Sequence, residues 1–203
     1  IYGAKIMNQR SIGDAPMPVP PIEEQHRIAE YLDSACEAID NTGTIISRQI
    51  ETLERYRQSL IYETVTKGLD PDVPMKDSGV EWIGYVPKDW QVKRFKYVAS
   101  AKAGENITSE EIFQDSSAFP VFGGNGLRGY FERANQFEDK ILVGRQGALC
   151  GNVHLAIAPF WATDHALVVT INGTMHQKYL YYSLQAANLN RLSMASAQPG
   201  ISV

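Results

Sequence analysis

The chain is 203 residues long and carries 19 lysines and arginines against 23 carboxylates, a formal net charge of −4. Apolar residues at 44% and charged residues at 21% lie near globular averages, which excludes a disordered chain, a collagen-like repeat and a disulfide scaffold. The length suits one domain or two small ones, and no apolar run reaches the roughly 18–20 residues of a membrane span.

The chain opens Ile1-Tyr2-Gly3, with neither a signal-peptide pattern nor an initiator methionine, and reads as a fragment. Residues 1–21 close on Pro16-Met17-Pro18-Val19-Pro20-Pro21, a run that fits neither a helix interior nor a central strand. Pro20 and Pro21 do suit a helix entry, where a missing N–H is harmless.

Residues 22–67 carry the strongest periodicity in the chain. Leu32, Ile39, Ile46, Leu53 and Leu60 recur every seven residues, with Ile28, Ala35, Thr42, Gln49 and Tyr56 interleaved at the same interval. This a/d-like pattern predicts one long amphipathic helix, about 69 Å at 1.5 Å per residue. The expected packing positions are Ile28, Leu32, Ile39, Ile46, Leu53 and Leu60. A seam of that length needs a second helix, and Thr42, Gly43 and Gln49 weaken its middle. Five cations against nine carboxylates make the segment a poor surface for tracking DNA and suit a spacer or dimerisation element. Gly68 and Pro71 predict the stop.

Residues 68–87 read as a turn-rich connector in which Trp82 and Ile83 pin the chain to the next domain. From residue 88 onward, short apolar runs alternate with turn residues. Strands are expected at 91–98, 119–122, 129–132, 140–144, 152–157 and 166–171, and a helix at 176–190. The turns between strands are Gly123-Gly124-Asn125-Gly126, Gly144-Arg145-Gln146-Gly147 and Asn172-Gly173. The fold class is therefore α+β, a β-rich domain over 88–203 joined to a long coiled-coil helix. Cys36 and Cys150 form no C-x-x-C pair and read as reduced thiols, consistent with the cytoplasm. A faint echo links Gln9-Arg10-Ser11-Ile12 with Gln198-Pro199-Gly200-Ile201, as if one repeat ended and the next closed.

The candidate chemistry is sparse. Gly124-Asn125-Gly126-Leu127-Arg128-Gly129 matches G-x-G-x-x-G, but the ribose position falls near Arg145 instead of an acid, and Pro120 interrupts the strand before it. A glycine hairpin is the plainer reading. His154, Asp164 and His165 form no metal-ligand spacing, and Asp164-His165 reads as a buttress at a strand start. Neither a metal, a cofactor nor a catalytic residue is expected. The basic and amide-rich turns are more informative. Arginine reads guanine bidentately, asparagine and glutamine read adenine, and lysine suits phosphate. Asn125, Arg128, Arg145, Gln146 and Asn152 are the candidate base contacts, with Lys93, Lys96 and Lys102 on phosphates. Composition alone leaves an ordinary solvated surface equally open, and Arg145 could instead brace Asp164.

A family resemblance rests on four stretches. Pro20-Pro21-Ile22-Glu23-Glu24-Gln25-His26-Arg27-Ile28 with Leu32 resembles the P-P-x-x-E-Q-x-x-I-x-x-x-L signature that opens a conserved-region helix in specificity subunits of type I restriction–modification systems. Ser78-Gly79-Val80-Glu81-Trp82-Ile83-Gly84 with Pro87 and Trp90 resembles the entry to a target recognition domain. Ile141-Leu142-Val143-Gly144-Arg145-Gln146-Gly147 with Trp161-Ala162-Thr163-Asp164 resembles its middle, and Ser196-Ala197-Gln198-Pro199-Gly200-Ile201 its closing loop.

The resemblance implies a non-catalytic, sequence-specific DNA-binding module with one target recognition domain and one helix. It would read one half of a bipartite double-stranded target. The helix would pair with that of another repeat or of a homodimer mate and set the gap between the halves. Methyltransferase subunits would dock on it directly and a restriction/translocase subunit indirectly; methylation and ATP-dependent cleavage would be theirs. Gly144, Gly147, Trp161 and Asp164 would build the framework. Two other readings remain open from the residues: a coiled-coil protein whose β-rich head binds protein or carbohydrate, and a small dinucleotide-binding enzyme using residues 124–129.

Overall fold

The computed structural model describes residues 12–147 and 149–192. Two expectations, the echo at Gln9 to Ser11 and the closing loop Ser196 to Ile201, lie outside the described residues. The chain forms two compact units, Ile1–Glu54 and Arg55–Val203, so the division falls inside the long helix and not at its end.

That helix, α1, runs Ile22–Lys67. Its entry is built by the prolines: the Glu24 and Gln25 amides donate to the Pro21 carbonyl, and the Gln25 side chain donates to Pro20 O at 2.7 Å. Glu23 and Glu24 occupy the first turn and Lys67 the last, each complementing the helix dipole. The weak middle is carried by hydroxyls that bond back one turn, Thr42 to Ala38, Thr44 to Asp40 and Ser47 to Gly43. Gly68, at φ +84°, ends the helix in a left-handed cap and donates to Thr64 O. Ile28, Leu32, Ile39, Ile46, Leu53 and Leu60 are 43% to 68% exposed among the described residues.

In the second unit the connector contains a pair of short antiparallel strands, β1 (Met75–Asp77) and β2 (Tyr85–Pro87). Trp82 takes the Arg191 guanidinium 5.3 Å from its ring centroid, and Ile83 O accepts from the Tyr62 hydroxyl. The strand expected at 91–98 is absent. Phe95–Tyr97 forms a 3₁₀ turn closed by Tyr97 N–H to Arg94 O, and the strand starts later, at β3 (Ala99–Ala103). The sequence Ala-Ser-Ala-Lys-Ala has little intrinsic β preference; it is recruited because small side chains fit the core, where Ala99 is fully buried.

β4 (Phe119–Gly123) and β5 (Gly126–Phe131) form a hairpin, followed by β6 (Lys140–Gly144), β7 (Val153–Ala156), β8 (Trp161–Ala162) and β9 (Ala166–Ile171). The G-x-G-x-x-G run thus leads into a strand instead of the helix that a dinucleotide site requires, and that reading falls. The expected C-terminal helix is shorter: α2 spans Gln177–Ala186, and Asn188, at φ 46°, breaks it before a 3₁₀ turn at Leu189–Leu192.

The strands make an antiparallel sheet ordered β3-β9-β6-β7 and a three-stranded sheet ordered β5-β4-β8, in which β4 and β8 are parallel. Strand alternation divides the first sheet's faces. Ala99, Ile141, Val143, Leu167 and Val169 pack on Leu180 and Leu184 of α2. Leu142, Ala156 and Val168 face Phe160, Ala162 and Phe122. A third cluster, Ile107, Val121 and Phe131, fills the other side of the small sheet, with the Trp161 ring edge-on to Phe131 at 5.1 Å. Among the described residues no helix is long and apolar enough to cross a membrane.

Candidate nucleic-acid interface

Three loops meet at one end of the two sheets. The first is the β4–β5 hairpin tip, the second runs from Gly144 at the end of β6 to Asn152, and the third is Thr163-Asp164-His165 between β8 and β9. Their backbones abut. A Cβ on Gly124 would stand 2.9 Å from the His165 carbonyl oxygen, and one on Gly144 only 2.3 Å from that of Gly124. The approach requires glycine at both positions. Backbone hydrogen bonds join the loops: Arg145 N–H to His165 O at 2.9 Å, and Thr163 N–H to Phe122 O at 2.9 Å. Within the middle loop, Gly144 N–H donates to Asn152 O and Gly151 N–H to Gly144 O.

This stitching gathers the amide and guanidinium candidates. Asn152 donates to Asn125 Oδ1 at 3.4 Å across two loops, and the Gln146 amide pairs with His165 Nδ1. Arg145 braces the third loop through the Asp164 backbone carbonyl, at 3.5 Å, and not through its carboxylate. Arg128 is the extra residue of a β-bulge, between the Val121–Gly129 and Phe122–Leu127 pairs. Its stem lies over Gly123, 2.6 Å from where a Cβ would be. Asn125, Arg128 and Gln146 are exposed; Arg145 and Asn152 are half-buried.

The three lysines do not travel together. Lys102 is exposed on the edge strand β3 opposite Val168, near the end of the strand that meets the loops. Lys93 and Lys96 precede Ala99, at the far end of β3, and Lys96 sits 5.3 Å from the Tyr97 ring centroid. At 3.3 Å per residue the length of β3 separates them from the loops by about 13 Å.

Two histidines that motif spacing did not assign to this surface belong to it. His165 is the partner of Gln146. His154 lies beneath the hairpin tip, its ring atoms 3.4–3.7 Å from a Cβ placed on Gly126. Burial lowers its pKa by disfavouring the imidazolium, and its Nε2 is buried without a hydrogen-bond partner among the described residues. Leu127 and Leu149 add exposed apolar side chains, the type that contacts a thymine methyl. Only the pairing of β7 with β6 brings His154 here, and no local pattern signals it. Gly144 and Trp161 are framework by contact, the first against Gly124 and the second through Phe131 and a hydrogen bond from Nε1 to Glu105 O.

Comparison with known proteins bears on this arrangement. The sequence model of the type I restriction modification DNA specificity domain family matches residues 87–203. The specificity subunit of the Escherichia coli type I restriction enzyme EcoprrI is 39% identical over 109 residues, covering 52% of this chain and 27% of that protein. The specificity subunit of MjaVIII from Methanocaldococcus jannaschii is 31% identical over 99 residues, or 49% of this chain and 22% of that one. The chain therefore matches about a quarter of the length of these curated relatives. Among solved structures, the type I restriction–modification S subunit from M. genitalium superposes with a TM-score of 0.51 at 19% identity, over 66% of this chain and 33% of that one. A chain from a structure of type I R-M complex assembly gives 0.50 at 17% identity, over 92% and 46%. The structural likeness concerns the fold, an α+β architecture with a long helix.

Proposed function

Because the chain belongs to the type I restriction modification DNA specificity domain family, we propose that it is a non-catalytic module that reads one half of a bipartite DNA target. The observation that carries this reading is the convergence of Asn125, Arg128, Arg145, Gln146 and Asn152 on one stitched loop surface. Two guanidiniums and three amides stand there against one carboxylate, Asp164, in a chain of net charge −4. Such a set can read guanine and adenine edges in a major groove, while backbone amides and Lys102 reach phosphates. Lys93 and Lys96, at the other end of β3, would need a second stretch of duplex.

In this reading, residues 88–203 form the recognition domain, 68–87 the connector and 22–67 the spacer. The uncovered heptad stripe of α1 would pair with the helix of another repeat or of a second copy, and so set the distance between half-sites. Methyltransferase subunits would dock on the module, with a restriction/translocase subunit reached through them, and the assembly would work in the cytoplasm. Bond making and breaking would belong to those partners.

The test is selection of duplexes by the full chain from a random pool, followed by binding across a salt series. A consensus should emerge, and affinity should fall steeply with salt as counterions are released. Arg128→Ala and Gln146→Ala should each relax one position of that consensus, by about 1–3 kcal/mol of discrimination. A chain that enriches no sequence, or binds a glycan array while ignoring duplexes, would turn the reading toward the protein- or carbohydrate-binding head.

A further inference from the structure

Beside the reading loops lies an open cavity of 620 Å³ with walls from α1, β7 and the end of α2. Arg57, Gln58 and Tyr62 line it from the last turns of α1, and Gln185 and Asn188 from the opposite side. Its lining contains no aspartate or glutamate, in a chain with 23 of them. Asn152 and His154 belong to both surfaces: they line the cavity while Asn152 bonds Asn125 and His154 supports Gly126. The trough therefore runs directly out of the loop cluster.

We infer that this trough cradles the phosphodiester backbone flanking the bases read by the loops, with Arg57 as its cation. The inference rests on the DNA-reading function proposed above and adds a contact made by the long helix itself. Amide side chains around one guanidinium, with no carboxylate in the lining, suit a chain of anionic acceptors better than they suit an apolar helix. Continuity through Asn152 places the trough where a backbone leaving the loops must pass. Arg57 is exposed, so its replacement spares the core. The helix that spaces the half-sites thereby also grips the duplex and sets the register of the loops on it.

The experiment measures binding of the full chain to its own selected duplex, from low to high salt, for wild type, Arg57→Gln and Arg57→Lys. Loss of one phosphate contact should lower the slope of log K against log salt by about 0.9 and weaken binding roughly five- to tenfold at about 0.1 M salt. The weakening should be uniform across target variants, because a backbone contact carries no sequence information. Arg57→Lys should restore the slope, which a merely structural role would not explain. An unchanged slope and affinity in Arg57→Gln overturns the inference while leaving the DNA-reading function standing. So does an altered base preference, or a variant that binds DNA normally but no longer retains methyltransferase subunits. Failure of wild type to bind any duplex overturns both.

Discussion

At Gly144 an added Cβ would meet the Gly124 carbonyl oxygen at 2.3 Å and the Leu149 carbonyl oxygen at 2.9 Å, with backbone on both sides and nothing able to yield. Gly144→Ala should cost about 1–3 kcal/mol or more as the loops are forced apart, visible as a lower midpoint in chemical denaturation. It should also weaken DNA binding more than its effect on folding explains, since Asn125 and Gln146 ride on the displaced backbones. His154 makes a prediction in pH. Its folded-state pKa lies below the ordinary value of 6.5 because burial disfavours the imidazolium. The unfolded chain then takes up the proton first as pH falls. The stabilising contribution is complete above about 6.5 and is lost as pH drops through the folded value. Among the residues lining the cavity that His154 shares, Arg57 is the one that carries a charge. Thermal unfolding at pH about 7.5 and about 5 should show a larger acid loss for wild type than for His154→Leu. Equal losses in the two proteins would mean that the acid response arises elsewhere.

β8 is two residues long and pairs in parallel with β4, yet it positions the whole third loop. What holds it is Asn135, whose side chain donates to Ala162 O at 3.0 Å and accepts from Ala162 N–H at 2.8 Å. Asn135→Ala leaves both backbone groups of a fully buried residue without those bonds, a loss of about 1–3 kcal/mol. Hydrogen exchange should show faster protection loss at Ala162 and Thr163 than in β6. The same element marks where sequence reading stops. The runs 119–122, 140–144, 152–157 and 166–171 are apolar, flanked by turn glycines, and lie close to β4, β6, β7 and β9. β8, at two residues, is too short to show a period, and in β3 Ala99, Ala101 and Ala103 alternate with Ser100 and Lys102 but carry little β propensity to signal a strand. Burial between layers recruits them, and Val92, Phe95 and Val98 mimic a strand just ahead of the real one.

For the molecule as a whole, the decisive feature is a 46-residue helix whose apolar stripe is exposed among the described residues. Replacing Ile39 and Ile46 with glutamate should leave the unfolding midpoint of Arg55–Val203 unchanged, since neither residue packs in that unit. Self-association or assembly with a second helix, read by sedimentation, should be lost, because each buried apolar side chain of such a seam contributes about 1.5–3 kcal/mol. An unaltered sedimentation profile would show that the stripe serves no coiled coil.

From the linear chain alone came the long helix, its proline entry and glycine exit, most of the strands and the family, because these rest on residues near one another in sequence. A seven-residue period, a φ preference and a turn are local physics. The tertiary structure decided which polar residues share a surface. It brought Asn125 to Asn152 and Gln146 to His165, placed His154 beneath the hairpin, and left Lys93 and Lys96 at the far end of β3. Those neighbours are 19 to 28 residues apart, and strand register, set by the packing of buried faces between sheets and helix, determines whether they meet.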